Sequence, residues 1–240
     1  MKKTKYMVFK GKNVKHDIDD LHIKFNNCFL TRVQTTKFLG INIDESLCWK
    51  SHVSYISSKI ASVLGILYTV NKVLPQNILL DIYNTLILPH LSYAILVWGS
   101  CSMTLKNRLQ VLQKKAIRAI TNSPYLAHTA PLYRKLNILN VKSLYIMQLA
   151  QFMFQYKNKQ LPCIFNEMFT MNAQVHSHGT RGSEKFYLPY VKTTRSQKNI
   201  KFSGPLLWNH LPKDIVKCSS LHSFKSKLKS YLIMNPFLDI

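Results

Sequence analysis

The only grouped carboxylates in the chain are Asp17, Asp19 and Asp20, in the run HDIDD, and the pair Asp44–Glu45. Grouped carboxylates can hold two divalent cations, which stabilise the attacking and leaving oxygens of a phosphoryl transfer. HDIDD lies between two expected strands and reads as a polar turn. A zinc set could be drawn from His176, His178, Cys163 and Cys218. The cysteines are isolated, whereas structural zinc sites use close pairs, so His-x-His reads as polar loop. Five widely spaced cysteines without a CxxC fit free thiols in a reducing compartment, hence an intracellular protein, nuclear or cytoplasmic. No G-x-S-x-G accompanies the serines, which excludes that hydrolase chemistry, and no G-x-x-x-x-G-K-[ST] or G-x-G-x-x-G offers a phosphate cradle.

The chemistry the chain does carry is cationic. It has 33 Lys and Arg against 10 Asp and Glu, a formal net charge of +23 over 240 residues. Residues 1–45 hold nine basic and five acidic residues, so most of the excess falls in residues 46–240. Nucleic acid is the implied partner, because it neutralises many such charges at once. Arg108, Lys114, Lys115 and Arg118 cluster on one side of an expected helix. Arg181, Lys192, Arg195 and Lys198 sit in a basic, aromatic-bearing stretch with Phe186, Tyr187 and Tyr190, a mixture that suits single strands. The most apolar stretch, Ile78 to Trp98, contains Asp81, Asn84, Pro89 and His90, so no membrane is expected. Nor does MKKTKYMVFKGK look like a signal peptide.

These residues need elements to position them. Residues 1–45 read as short strands: Thr4–Phe9, Leu21–Phe25, Cys28–Val33 and Lys37–Ile43. Gly40 within the last suggests a bulge or a close backbone approach. From Trp49 the period changes. Val53, Ile56, Ile60, Val63, Leu67 and Val70 form one helical stripe. Pro75 suits a first helical turn, and a second helix carries Ile78, Leu79, Ile82, Tyr83 and Leu86 until Pro89 ends or kinks it. Thr104–Thr121 is a third helix, with Leu105, Leu109, Leu112, Ala116, Ala119 and Ile120 inward and the four cations outward. Val141–Tyr156 is a strongly apolar helix, and a shorter one follows Pro162. Asn172–Ser203 reads as a long basic loop. Gly204–Pro212 is a compact anchor, and a last amphipathic helix starts near Ser219 or Ser220. Trp49, Trp98 and Trp208 read as core anchors. The fold class expected is mainly α, with a small antiparallel β segment at the N-terminus, then a helical bundle and a basic, partly irregular C-terminal region.

Several segments, in order, resemble the reverse transcriptases of non-LTR (LINE-type, jockey-like) retrotransposons. They are KTKYMVF (Lys3–Phe9), KFLGINID leading into LCWKSHV, LPHLSYAILVWG (Leu88–Gly99), LQKKAIRAI (Leu112–Ile120), HTAPLYRKLNIL (His128–Leu139), GPLLWNHLP and SLHSFKSKLKSYL (Ser220–Leu232). The resemblance runs through essentially the whole chain. It implies a palm edge over residues 1–45, a helical thumb over 46–125, and a C-terminal extension over 126–240 with a basic loop at 172–203. Phe38, Leu39 and Gly40 match the family's primer grip, where a small residue lets backbone approach the primer strand. Lys3 matches a palm lysine that approaches nucleotide phosphates.

The family polymerises with Mg2+ held by palm aspartates, including a Y/F-x-D-D loop, and no such loop occurs in these residues. By resemblance it would lie just before Met1. The expectation is therefore a fragment of an RNA-directed DNA polymerase that keeps template–primer binding and has no catalytic residues, no metal site and no enzymatic activity of its own. Two further readings are a free-standing basic nucleic-acid-binding protein and a non-functional element relic.

Overall fold

The computed structural model describes residues 4–9, 21–175 and 182–235. The β part is made of pairs. β1 (Lys5–Tyr6) runs parallel to β4 (Thr31–Arg32), while β2 (Lys24–Phe25) and β3 (Cys28–Phe29) form an antiparallel hairpin. A second hairpin joins β5 (Thr35–Phe38) to β6 (Ile41–Asp44), in the register Phe38↔Ile41 to Thr35↔Asp44. This corrects the expected single strand Lys37–Ile43. Leu39 and Gly40 are the two turn residues, with φ of 45° and 79°. Positive φ at both is the type I′ geometry that matches the strand twist. Gly40 therefore sits at a hairpin tip, not in a bulge.

The rest is helical. α1 (Lys50–Val70) buries Val53, Ile56, Ile60, Leu64 and Leu67, following the helical stripe read from the sequence. Pro75 caps α2 (Gln76–Ile82). Pro89 neither ends nor sharply breaks the helical run. A π-helical stretch, Tyr83–Ile87, widens the helix and delivers the chain into α3 (Leu88–Ser92), where Pro89 occupies the first turn. The π-helical stretch shifts the hydrogen-bond register (Leu88 N–H donates to Tyr83 O), which lets a residue without an N–H follow at position 89. α4 (Ile95–Trp98) and α5 (Met103–Ile120) come next, and α1 packs along α5.

After α6 (Thr129–Lys135), α7 (Val141–Lys157) is capped by the Asn140 side chain, which accepts from Ser143 N–H. Cys163–Phe165 is one 3-10 turn, shorter than the helix expected after Pro162. The basic loop is partly structured. It contains α8 (Asn172–Val175) and α9 (Thr194–Gln197), and Met171 bridges to Phe186. α10 (Ile200–His210) absorbs the GPLLW anchor. A Cβ on Gly204 would stand 2.7 Å from Met153 Sδ of α7, so glycine permits this close helix approach. α11 (Lys213–Val216) leads to α12 (Leu221–Met234), capped by Ser220.

One contiguous apolar core runs through these helices. Trp98, Tyr83 and Ile87 fill it near α1 and α5, and Phe154, Trp208, Phe224 and Phe186 near α7. Gln113 is fully buried within it. Its amide donates to Tyr83 Oη and Leu139 O and accepts from Tyr133 Oη. Burial pushes the Tyr83 hydroxyl up to about 12, so it stays a neutral hydrogen-bonding group. α1 is also long and apolar enough, by length and composition, to cross a bilayer; its apolar stripe is buried in the core instead.

Candidate nucleic-acid interface

The hairpin β5–β6 presents its tip outward. Phe38 is 61% and Leu39 72% exposed, two of many large apolar side chains that the described residues leave open to solvent, here side by side at one tip. Its base is locked. Asp44 accepts from Ser46 Oγ (2.6 Å), Cys48 N–H (2.9 Å) and Trp49 N–H (2.8 Å). Burial works to raise the Asp44 carboxyl, but these hydrogen bonds outweigh it and hold it below the usual carboxylate range. Trp49 starts α1 in a left-handed conformation with no side-chain cap; Asp44 instead holds the turn that leads into the helix, through the Cys48 and Trp49 N–H groups. Glu45 pairs with Arg32 at 3.3 Å.

Three further tethers hold the hairpin to the helices. Asn42 N–H donates to His52 Nδ1 (3.4 Å), Lys37 lies over the Tyr55 ring (5.4 Å), and Tyr93 Oη donates to Leu39 O (2.8 Å). His52 is buried against Trp98, and burial keeps its ring below the ordinary histidine range.

The α5 cations do not form one free row. Arg108 is exposed and donates to Ser54 Oγ of α1 (3.2 Å). It edges an open groove of about 450 Å³ between α1 and α5, lined also by Ser57, Ser58, Ala61, Val111 and Leu112. Lys114 and Lys115 are half-buried. Arg118 is half-buried too. Its Nε donates to Ala127 O (3.0 Å) and its guanidinium stacks 6.0 Å from the Tyr125 ring, so it braces the loop after α5.

In the basic segment, Lys192 and Lys198 are exposed. Arg195 Nη2 donates to Ser46 O (3.1 Å), which brings this segment to the foot of the hairpin. Lys3 and Arg181 lie outside the described residues, as do Asp17, Asp19, Asp20, His176 and His178. Sequence reasoning missed Lys106. It is half-buried over the Tyr145 ring (5.0 Å); burial lowers its pKa, the Cys101 thiol opposes this, and the charges of Lys198 and Lys142 lower it further. Its one available signal was a lysine at a core-facing position of the α5 stripe.

Among the described residues no three His, Cys, Asp or Glu side chains gather as a metal site. Asp44 is committed to the α1 start and Glu45 to Arg32, so these carboxylates do not fit a two-cation centre. Cys163 is exposed and Cys218 half-buried beside Ser223.

Comparison with known proteins gives relatives but no fold template. No protein-family model matches the chain, and no solved structure matches it. Over 111 residues, 45% of this chain, it is 30% identical to the RNA-directed DNA polymerase from mobile element jockey of Drosophila funebris. It is 27% identical over 120 residues (48% of the chain) to the polymerase of the same name from Drosophila melanogaster. It is 28% identical over 123 residues (50%) to the probable RNA-directed DNA polymerase from transposon BS of that species. The matched stretches make up 12%, 13% and 14% of those three proteins, so the chain corresponds to a small part of each. The similarity to jockey-like non-LTR retrotransposon reverse transcriptases thus covers about half of the chain.

Proposed function

We propose that this chain is the primer-grip and thumb portion of such a polymerase, and that it holds a template–primer duplex through the phosphate backbone. The observation that carries the reading is the mounted hairpin. An exposed apolar tip is tethered at its base, side and turn to a helical body with a large positive charge. Arg195 stands at the foot of the hairpin, and Arg108 edges the groove between α1 and α5. Cations placed this way contact phosphates without reading sequence.

The parent enzyme would use Mg2+ to join nucleotides. We read the chain as binding without polymerising: among the described residues Asp44 is spent on the turn before α1 and Glu45 on Arg32, and the other acidic side chains stand on separate elements. No membrane partner is expected, a reading supported by the packing of α1 along α5. The test is primer extension beside a gel-shift assay on purified chain. Duplex retention without added nucleotides in the primer is expected; extension with Mg2+ and deoxynucleotides overturns the reading.

The existence of one apolar core from α1 to α12 supports a second reading, a binding protein that folds and works by itself. Both readings share the interface. They separate on whether a transcript begins at Met1 or an in-frame palm lies upstream.

A further inference from the structure

Two hairpins in this chain turn through two residues with positive φ. One uses Asn26 (47°) and Asn27 (59°), residues that tolerate this conformation through local hydrogen bonding. The other uses Leu39 (45°) and Gly40 (79°). Leucine gains nothing there by burial, since it is 72% exposed. A strained, exposed apolar residue persists only where its surroundings over-determine it, and such residues gather at ligand contacts.

The determinant is Tyr93, 54 residues on, at the corner between α3 and α4. Its hydroxyl donates to Leu39 O (2.8 Å), and its ring edge would stand 3.3 Å from a Cβ on Gly40. The strut is rigid at its own end. Tyr93 N–H donates to Pro89 O (2.9 Å), and its carbonyl accepts from Nε1 of fully buried Trp98 (2.8 Å). The next residue, Ala94, is itself left-handed at 48°, so the corner is fixed on both sides.

We propose that Tyr93 is a positioning residue of the hairpin. It locks the Leu39–Gly40 turn so that Phe38 and Leu39 stand as a preformed apolar wedge against the sugar and base at a nucleic-acid strand end. This rests on the duplex-binding reading above. Preformation matters because an ordered contact loses less entropy on binding than a mobile one.

The test has two arms on the full chain. In the free protein, Tyr93→Phe is expected to speed amide exchange of residues 36–42 at least three-fold, with α5 and α7 amides unchanged. In a Leu39→Asn background, where the turn no longer needs the lock, it has little further effect. In the second arm, Tyr93→Phe weakens binding to a duplex with a recessed 3′ end three- to ten-fold. A closed dumbbell duplex of equal length binds as before, with the same salt slope. Unchanged exchange, or equal weakening of both duplexes, overturns the proposal. If the unaltered chain binds neither duplex, the duplex reading fails, while the exchange arm still decides the lock.

Discussion

The two hairpins share a turn geometry and differ in what enforces it. The β2–β3 hairpin is shaped by its own residues. Asn-Asn makes the turn, and the nearby contacts are Lys24 over Phe29 (4.5 Å) and His22 against Phe29 (5.9 Å). The β5–β6 hairpin has a turn sequence that disfavours the geometry it adopts, and His52, Tyr55 and Tyr93 hold it from outside. A locally encoded turn needs no reason beyond connecting two strands. Both hairpins turn large apolar side chains outward, Phe25 and Phe29 on one, Phe38 and Leu39 on the other; only the second is held against its own preference, and its tip is the one proposed to meet a partner.

The strongest way to break the contrast is to remove the anchor beneath Tyr93. Trp98→Ala is expected to cost about 3–5 kcal/mol, as for other large-to-small core changes, and to melt the helical body with the hairpin. Phe29→Ala, 64% exposed on the other hairpin, should stay within about 0.5 kcal/mol in a thermal melt.

Next comes the hairpin base. Asp44→Ala leaves two backbone N–H groups without their acceptor and should cost about 2–3 kcal/mol in urea unfolding. The same base predicts the pH response. His52 is held below its ordinary value of 6.5, so its burial as a neutral ring is fully tolerated above that pH and penalised as pH falls below it. Asp44 is held below 3.8, so its stabilisation is complete above that value and is lost as pH falls through its lower folded value. Melting temperature should therefore be level between about pH 6.5 and 8, drop first below that range, and drop again in strong acid. His52→Gln should remove the first drop; its persistence in that variant contradicts the assignment.

A smaller effect separates the turns directly. Asn26→Leu should destabilise by about 1 kcal/mol, whereas Leu39→Asn should stabilise by a similar amount while weakening duplex binding. If both changes destabilise equally, the turns are not enforced differently. Smallest of all, Arg195→Ala should leave stability within about 0.5 kcal/mol and lower the salt dependence of binding by about one phosphate contact.

The same division separates the features legible in the sequence from those hidden in it. The stripes of α1 and α5, the Pro75 start and the Ser220 start were legible because each depends on residues within a turn or two. The Leu39–Gly40 turn was not, since leucine is not a turn residue and the contact that fixes it comes from Tyr93. Asp44 looked like half of an acidic pair, and only the fold shows it holding the turn into α1. Of the candidate contacts, Arg108 stands at a groove and Arg195 at the hairpin foot, as an exposed role requires. Arg118 is spent on the Ala127 carbonyl, a partner that helix periodicity cannot reveal. Pro89 read as ending or kinking a helix; the structure carries the run past it through the π-helical stretch Tyr83–Ile87, which no side-chain periodicity announces.

The account stands most directly on one titration: the affinity of the purified chain for a template–primer duplex as salt is raised from about 50 to 200 mM. A linear fall of log affinity with log salt is predicted, with a slope of about −0.9 for each phosphate neutralised and the same slope for unrelated sequences. An affinity that stays level across that range would contradict it.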